Sequence, residues 1–231
     1  MNANVRENTF EDRLSLADAL AHRLAADLAA GIAERGRAVL AVSGGSTPKT
    51  VFAVLARATI DWSKVTVTLV DERWVPESDE RSNARMVRNL LLKQNAEAAT
   101  FVPLYVDAPT PDEGLATVTA SIDKLERPFD AVVLGMGGDG HTASFFPGGD
   151  HLAEALDLAG KASVLPMRAE GAGEPRITLS LPRLLDTRAL YLHIEGDDKK
   201  AVLAKALAGG EYPIGAVLRQ DGTEVQVYWA P

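Results

Sequence analysis

The chain contains no cysteine. A disulfide framework, a thiolate metal site and a cysteine nucleophile are thereby excluded. No stretch approaches the ~20 consecutive apolar residues that a membrane-spanning helix needs. Lys and Arg nowhere form a run, so the basic face of a nucleic-acid binder is missing. The four histidines are scattered and form no H-x-x-x-H pair, which leaves no recognisable metal site. Positive charge is short overall: 24 Lys and Arg stand against 32 Asp and Glu, a net charge of −8. Such a protein repels anions at long range. An anionic ligand would therefore require a few arginines and lysines to converge locally.

What is present is an ordinary globular composition, 46% apolar and 24% charged over 231 residues. There is no internal repeat and no flexible linker, so one domain over residues 1–231 is expected. Residues 1–13 are polar and mixed in charge, without the apolar core of a signal peptide. Together with the missing cysteines, this makes the cytoplasm the expected compartment.

Residues 14–34 carry apolar side chains at helical spacing, at Leu14, Ala17, Leu20, Ala21, Leu24, Leu28 and Ile32. Gly36 ends that pattern. A continuous apolar run over 38–42 reads as a buried strand. Further strands are expected over 65–70, 100–105, 130–134, 163–165, 176–179, 190–194 and 225–229. Helices are expected over 50–58, 82–92, 112–125 and 198–207, with Ser82 as an N-cap and Pro111 near a helix start. Gly- and Glu-rich residues 168–175 read as a mobile loop. Strands alternating with helices imply an α/β fold with a mostly parallel sheet and helices on both faces. Ligands of such sheets sit beyond the carboxyl ends of the strands.

Three segments follow strands and carry polar chemistry. Ser43-Gly44-Gly45-Ser46-Thr47 joins a strand to a helix; its glycines let backbone approach a ligand, and it serves equally as a tight turn with a cap. Asp71-Glu72-Arg73 offers a guanidinium suited to a phosphate or an oxyanion; Glu72 reads as a surface residue. Gly135 to His141 formally matches G-x-G-x-x-G, yet no regular helix pattern follows it. His141 in that turn suits a general base, since an imidazole titrates near pH 6.5. Asp139 could orient its ring. His22 and His193 lie in periodic elements and read as structural, and His151 as a surface residue. Arg176 and Lys199 open a strand and a helix, and Lys200 beside the latter reads as solvated.

Ser43 to Pro48, Asp71 to Pro76 with Ser82-Asn83, and Gly135-Met-Gly-Gly-Asp-Gly-His-Thr-Ala-Ser-Phe-Phe-Pro147 resemble, in order, signatures of the 6-phosphogluconolactonase family. Arg176 to Leu179 and Gly196-Asp-Asp-Lys199 resemble its later signatures. Phe145 departs from the leucine more usual there. The resemblance implies a Rossmann-like fold similar to the phosphosugar isomerases and deaminases. It implies hydrolysis of 6-phospho-D-glucono-1,5-lactone to 6-phospho-D-gluconate, the second step of the oxidative pentose phosphate pathway. His141 would be the general base, Asp139 its partner and Arg73 the charge-stabilising group. Gly44, Gly45, Ser46 and Thr47 would cradle the phosphate with Arg176 and Lys199, leaving Arg168 as the rival guanidinium. Asp71 would also face the substrate.

No cofactor, metal, nucleic acid or membrane is implied, and a monomer or weak homodimer is expected. A δ-lactone is already reactive, so one base and one cationic partner suffice without a covalent nucleophile. The alternatives are a glucosamine-6-phosphate deaminase, in which Asp71 would move a proton, a non-catalytic phosphosugar-binding protein and a nicotinamide-dependent dehydrogenase.

Overall fold

The computed structural model describes residues 4–231. Along the chain run β1 (Val5–Thr9), α1 (Arg13–Arg35), β2 (Ala38–Val42), α2 (Lys49–Leu55), β3 (Val65–Leu69), β4 (Asp71–Arg73), α3 (Asn83–Leu90), β5 (Thr100–Val102) and α4 (Pro111–Ile122). There follow β6 (Ala131–Leu134), α5 (Leu152–Leu156), β7 (Val164–Met167), β8 (Arg176–Leu179), α6 (Leu181–Leu185), β9 (Leu190–Glu195), α7 (Asp197–Leu207), α8 (Ile214–Leu218) and β10 (Val225–Ala230).

Seven strands form one sheet in the order β1-β10-β9-β6-β2-β3-β5, every neighbouring pair parallel. Every residue of β2 and β6 is buried, so the sheet is covered on both faces, as a parallel sheet must be. From β2 the chain moves outward to β3 and β5. After β6 it moves to the other side, to β9 and β10. The connections therefore diverge between β2 and β6, which is the position where such sheets open a ligand crevice.

A second sheet of three antiparallel strands, β4-β8-β7, was not foreseen in the sequence. Residues 71–73 do not simply end the preceding strand. Val70 donates its N–H to Val42 O and accepts from Leu179 N, so the chain leaves the large sheet there and enters the small one.

Local chemistry sets the element ends. Asp12 caps α1 by accepting from Ser15 N at 2.7 Å, and Gly36 closes it in a left-handed conformation, φ 77°. Leu14 is 71% exposed, and Leu16 rather than Leu14 joins the buried stripe. The helix expected over 50–58 stops at Leu55, because Arg57 and Ala58 turn back onto Val54 O and Leu55 O. Strand β1 and the five-residue helices α5, α6 and α8 lack clear periodicity over so few residues. Residues 168–175 contain a 3₁₀ turn over Glu170–Ala172 with Ala172 buried. Among the described residues no helix is long and apolar enough to cross a membrane.

Candidate active site

The segments after β2, β3 and β6 meet in one cleft of about 220 Å³, joined by Arg176, His193 and Lys199. A larger groove of about 750 Å³ lies between α1 and α2 and contains none of these residues.

The first wall is the turn after β2. Ser43 continues the sheet by donating to Val133 O at 3.0 Å. Gly44 lies so close to α3 that a Cβ there would stand 1.9 Å from Asn83 Oδ1. Gly45 has φ +87°, a conformation that favours glycine. Ser46 and Thr47 follow on the cleft rim, and Lys199 Nζ donates to Thr47 Oγ1 at 3.4 Å.

Lys199 lies in the first turn of α7, just past Gly196. Trp229 Nε1 donates to Gly196 O at 3.0 Å, and Lys200 Nζ sits 3.5 Å from the centroid of the Trp229 ring. Lys200 thus rests on an indole, while Lys199 reaches the cleft. Burial lowers the Lys199 pKa, and nearby Glu195 opposes that shift.

Strand β4 supplies the second wall. Side chains alternate along a strand, so Asp71 and Arg73 line the cleft while Glu72 points away from it. Glu72 is fully buried, which corrects its reading as a surface residue. Its carboxylate accepts from Arg73 N, Asn83 N and Ala84 N, each at 2.8 Å, and from Ser82 Oγ at 3.1 Å. It thereby ties β4 to the start of α3. Burial pushes this carboxyl up to about 7, against the three N–H donors that hold it down.

Arg73 pairs directly opposite Arg176 across β4 and β8. Two guanidinium groups so placed repel each other. Burial lowers the Arg176 pKa and Arg73 lowers it further, while Asp71 opposes. The Nε of each arginine is buried without a hydrogen-bond partner. Arg73 Nη1 donates to Arg81 O, and Arg176 Nη2 to Ala172 O at 2.8 Å. Asp71 Oδ2 accepts from Ser144 Oγ at 2.6 Å and lies 4.0 Å from Arg176 Nη1. Arg168 instead pairs with Asp112 and Asp150, outside the cleft.

The turn after β6 holds the third wall. Gly137 N donates to His141 O, and Gly140, with φ +76°, donates to Gly137 O. Asp139 Oδ1 accepts from His141 N at 3.1 Å and lies 2.6 Å from His141 Nδ1. Burial alone would raise the Asp139 pKa. The His141 backbone N–H and ring outweigh it, and the carboxyl ends below its usual value. The His141 ring stacks on Phe146, with centroids 4.3 Å apart. The G-x-G-x-x-G match opens no long helix: turns occupy residues 142–149 before the short α5.

Of the residues expected at a site, His141, Arg73, Asp71, Arg176, Lys199 and residues 44–47 line this one crevice, and Asp139 adjoins it through His141. Sequence reasoning missed Ser144, Asn83 as a wall of the glycine turn, and His193. The last is only 2% exposed, lines the cleft, and has Nε2 3.2 Å from Glu195 Oε1. Its place in an apolar strand hid it. His22 lies on α1 away from the cleft, and His151 bonds Glu154 on the surface.

Fold and cleft together define a Rossmann-like α/β protein with a cationic crevice at the carboxyl ends of its parallel strands. The chain belongs to the family of glucosamine-6-phosphate isomerases and 6-phosphogluconolactonases, whose model matches residues 11–229. It is 55% identical over 234 residues to the 6-phosphogluconolactonase of Rhizobium meliloti (strain 1021), with 100% of each chain covered. It is 53% identical over 230 residues to that of Mesorhizobium japonicum, covering 99% of this chain and 97% of the relative. The crystal structure of a 6-phosphogluconolactonase from Shewanella baltica OS155 matches with a TM-score of 0.96 at 40% identity, over 100% of both chains.

Proposed function

We propose that the protein hydrolyses 6-phospho-D-glucono-1,5-lactone to 6-phospho-D-gluconate in the pentose phosphate pathway. The observation that carries this reading is the opposition of Arg73 and Arg176, each with an orphaned Nε, in the same cleft as the His141–Asp139 pair. The two cations call for an anion, and the imidazole beside them can activate water. The relatives described above bear the same activity in their names.

Asp139 can only accept at its ionised carboxylate, so His141 Nδ1 carries the proton and Nε2 keeps its lone pair. Nε2 takes a proton from water as the water oxygen attacks the lactone C1. Negative charge collects on the former carbonyl oxygen, where the Arg73 guanidinium stabilises it. The bond from C1 to the ring oxygen then breaks, and the imidazolium returns the proton to that oxygen. Thr47, Arg176 and Lys199 hold the phosphate with the glycine turn, and this remote binding energy orients the ring. The reading requires no cofactor or metal. The proposed groups all come from one chain, which we take to act as a single domain, as a monomer or weak homodimer in the cytoplasm.

The test is hydrolysis of freshly generated 6-phosphogluconolactone, followed against its spontaneous rate without added metal or nucleotide. Acceleration by the wild type, lost in His141→Ala, supports the reading. No acceleration overturns it and turns the assay to glucosamine-6-phosphate deamination, for which Asp71 in the cleft is the relevant acid.

A further inference from the structure

Phe146 touches both ends of the proposed machinery. Its ring stacks on His141 with planes 29° apart, and Arg176 Cζ lies over it, 5.3 Å from the ring centroid. Phe146 is 3% exposed although it belongs to a turn rather than to a strand or helix. Successive turns fix its backbone: Phe145 N donates to Thr142 O, Phe146 N to Ser144 O, and Gly149 N to Phe146 O.

The base and the guanidinium come from different parts of the chain, the turn after β6 and the start of β8. On the lactonase reading they act on opposite ends of one small, rigid substrate: His141 at the carbonyl, Arg176 at the phosphate. The distance between those ends is fixed by the substrate's covalent structure, so the protein must fix the distance between the two side chains. Asp139 sets where Nδ1 points, and Gly137 and Phe146 are the surfaces packed against the ring. Arg176 also has few direct polar contacts. Its carboxylate neighbours stand 3.8 and 4.0 Å away, and its one direct side-chain bond goes to Ala172 O. The flat face of Phe146 is the contact common to both.

We propose that Phe146 is a positioning residue that sets the separation of the general base from the phosphate-binding guanidinium. It selects a ligand carrying its reacting carbonyl and its phosphate at that spacing. The proposal rests on the lactonase reading.

The experiment compares the wild type with Phe146→Leu, Phe146→Met and Phe146→Tyr. Turnover of 6-phosphogluconolactone is measured, as is competitive inhibition by 6-phosphogluconate and by inorganic phosphate. Leu and Met fill the space without a flat face, and Tyr keeps the face. Phe146→Leu should lose about 10- to 100-fold in kcat/KM, the size of effect that a misplacement near 1 Å produces. It should bind 6-phosphogluconate more weakly, while inorganic phosphate, which needs only one end of the site, binds as in the wild type. Phe146→Met should behave in the same way if Phe146→Leu does not fold, and Phe146→Tyr should restore both constants. A purely structural role would lower thermal stability and active fraction while leaving KM and both inhibition constants unchanged, and that result overturns the proposal. So does a parallel loss of phosphate and 6-phosphogluconate binding. A wild type without lactonase activity overturns the functional reading itself, and the positioning role with it.

Discussion

Gly137 packs directly against the His141 ring: a Cβ at residue 137 would stand 2.3 Å from both Cε1 and Nδ1 and 2.6 Å from Asp139 Oδ1. The absent side chain is what lets the imidazole and carboxylate lie together in the turn. Gly137→Ala should therefore push the His141 ring aside, since a side chain moves more easily than backbone. Activity should fall by about 10²-fold, the scale of a misplaced catalytic group, with little change in melting temperature. Steady-state kinetics and a thermal melt on the same preparation check this; full activity would show that the ring has another stable position.

Asp139→Asn should lower kcat by about 10²–10⁴-fold, because an amide can offer its N–H to Nδ1 and favour the wrong tautomer. KM should hold near its wild-type value, as Asp139 bonds His141 and not the residues proposed to hold the phosphate. Because Asp139 ionises below its ordinary value, it stays charged throughout the neutral range. Its removal should scale the pH profile down rather than delete a limb. A changed KM with unchanged kcat would speak against its orienting role.

Glu72→Gln should destabilise the fold. Three backbone N–H groups and a hydroxyl converge on two carboxylate oxygens, and an amide replaces one oxygen by a further donor. The expected cost is about 1–3 kcal/mol. For a chain of this size that lowers the thermal midpoint by about 2–4 °C per kcal/mol. An unchanged melt would show that α3 does not need this cap.

Lys199 gives a pH dependence. Its folded pKa lies below the ordinary 10.5, through burial first, with Arg13 adding and Glu195 opposing. The folded protein therefore releases this proton before the unfolded chain does, and stability gains from that group as pH rises through the window between the two values. On the proposed function anion binding behaves oppositely, since the lost charge is the one that would face the phosphate. Affinity for 6-phosphogluconate, followed calorimetrically, should weaken as pH approaches 10.5. Lys199→Met should bind more weakly at neutral pH and show a flatter profile. An identical slope in the variant would assign the dependence elsewhere.

Much of the fold is legible locally. The strand at 38–42 is a uniform apolar run, that at 190–194 is apolar but for His193, and α1 carries its own period, cap and terminal glycine. Elements that rely on tertiary contacts are not. Strand β4 has only three residues, all charged, and exists because Val70 hands the chain from one sheet to the other. Glu72 could not be separated from a surface acid until the start of α3 lay against it. His193 looked like core because its strand is core.

The alternation of strands and helices, the glycine turns at the strand ends, and the residue types able to bind an anion and move a proton are all written locally in the chain. These follow from periodicity and from backbone freedom, which act over a few residues. That Arg73 faces Arg176, that Arg168 is engaged elsewhere, and that Phe146 lies against both His141 and Arg176 emerges only in three dimensions. Those relations join segments far apart in the chain, and strand register and packing, which no local pattern encodes, set them.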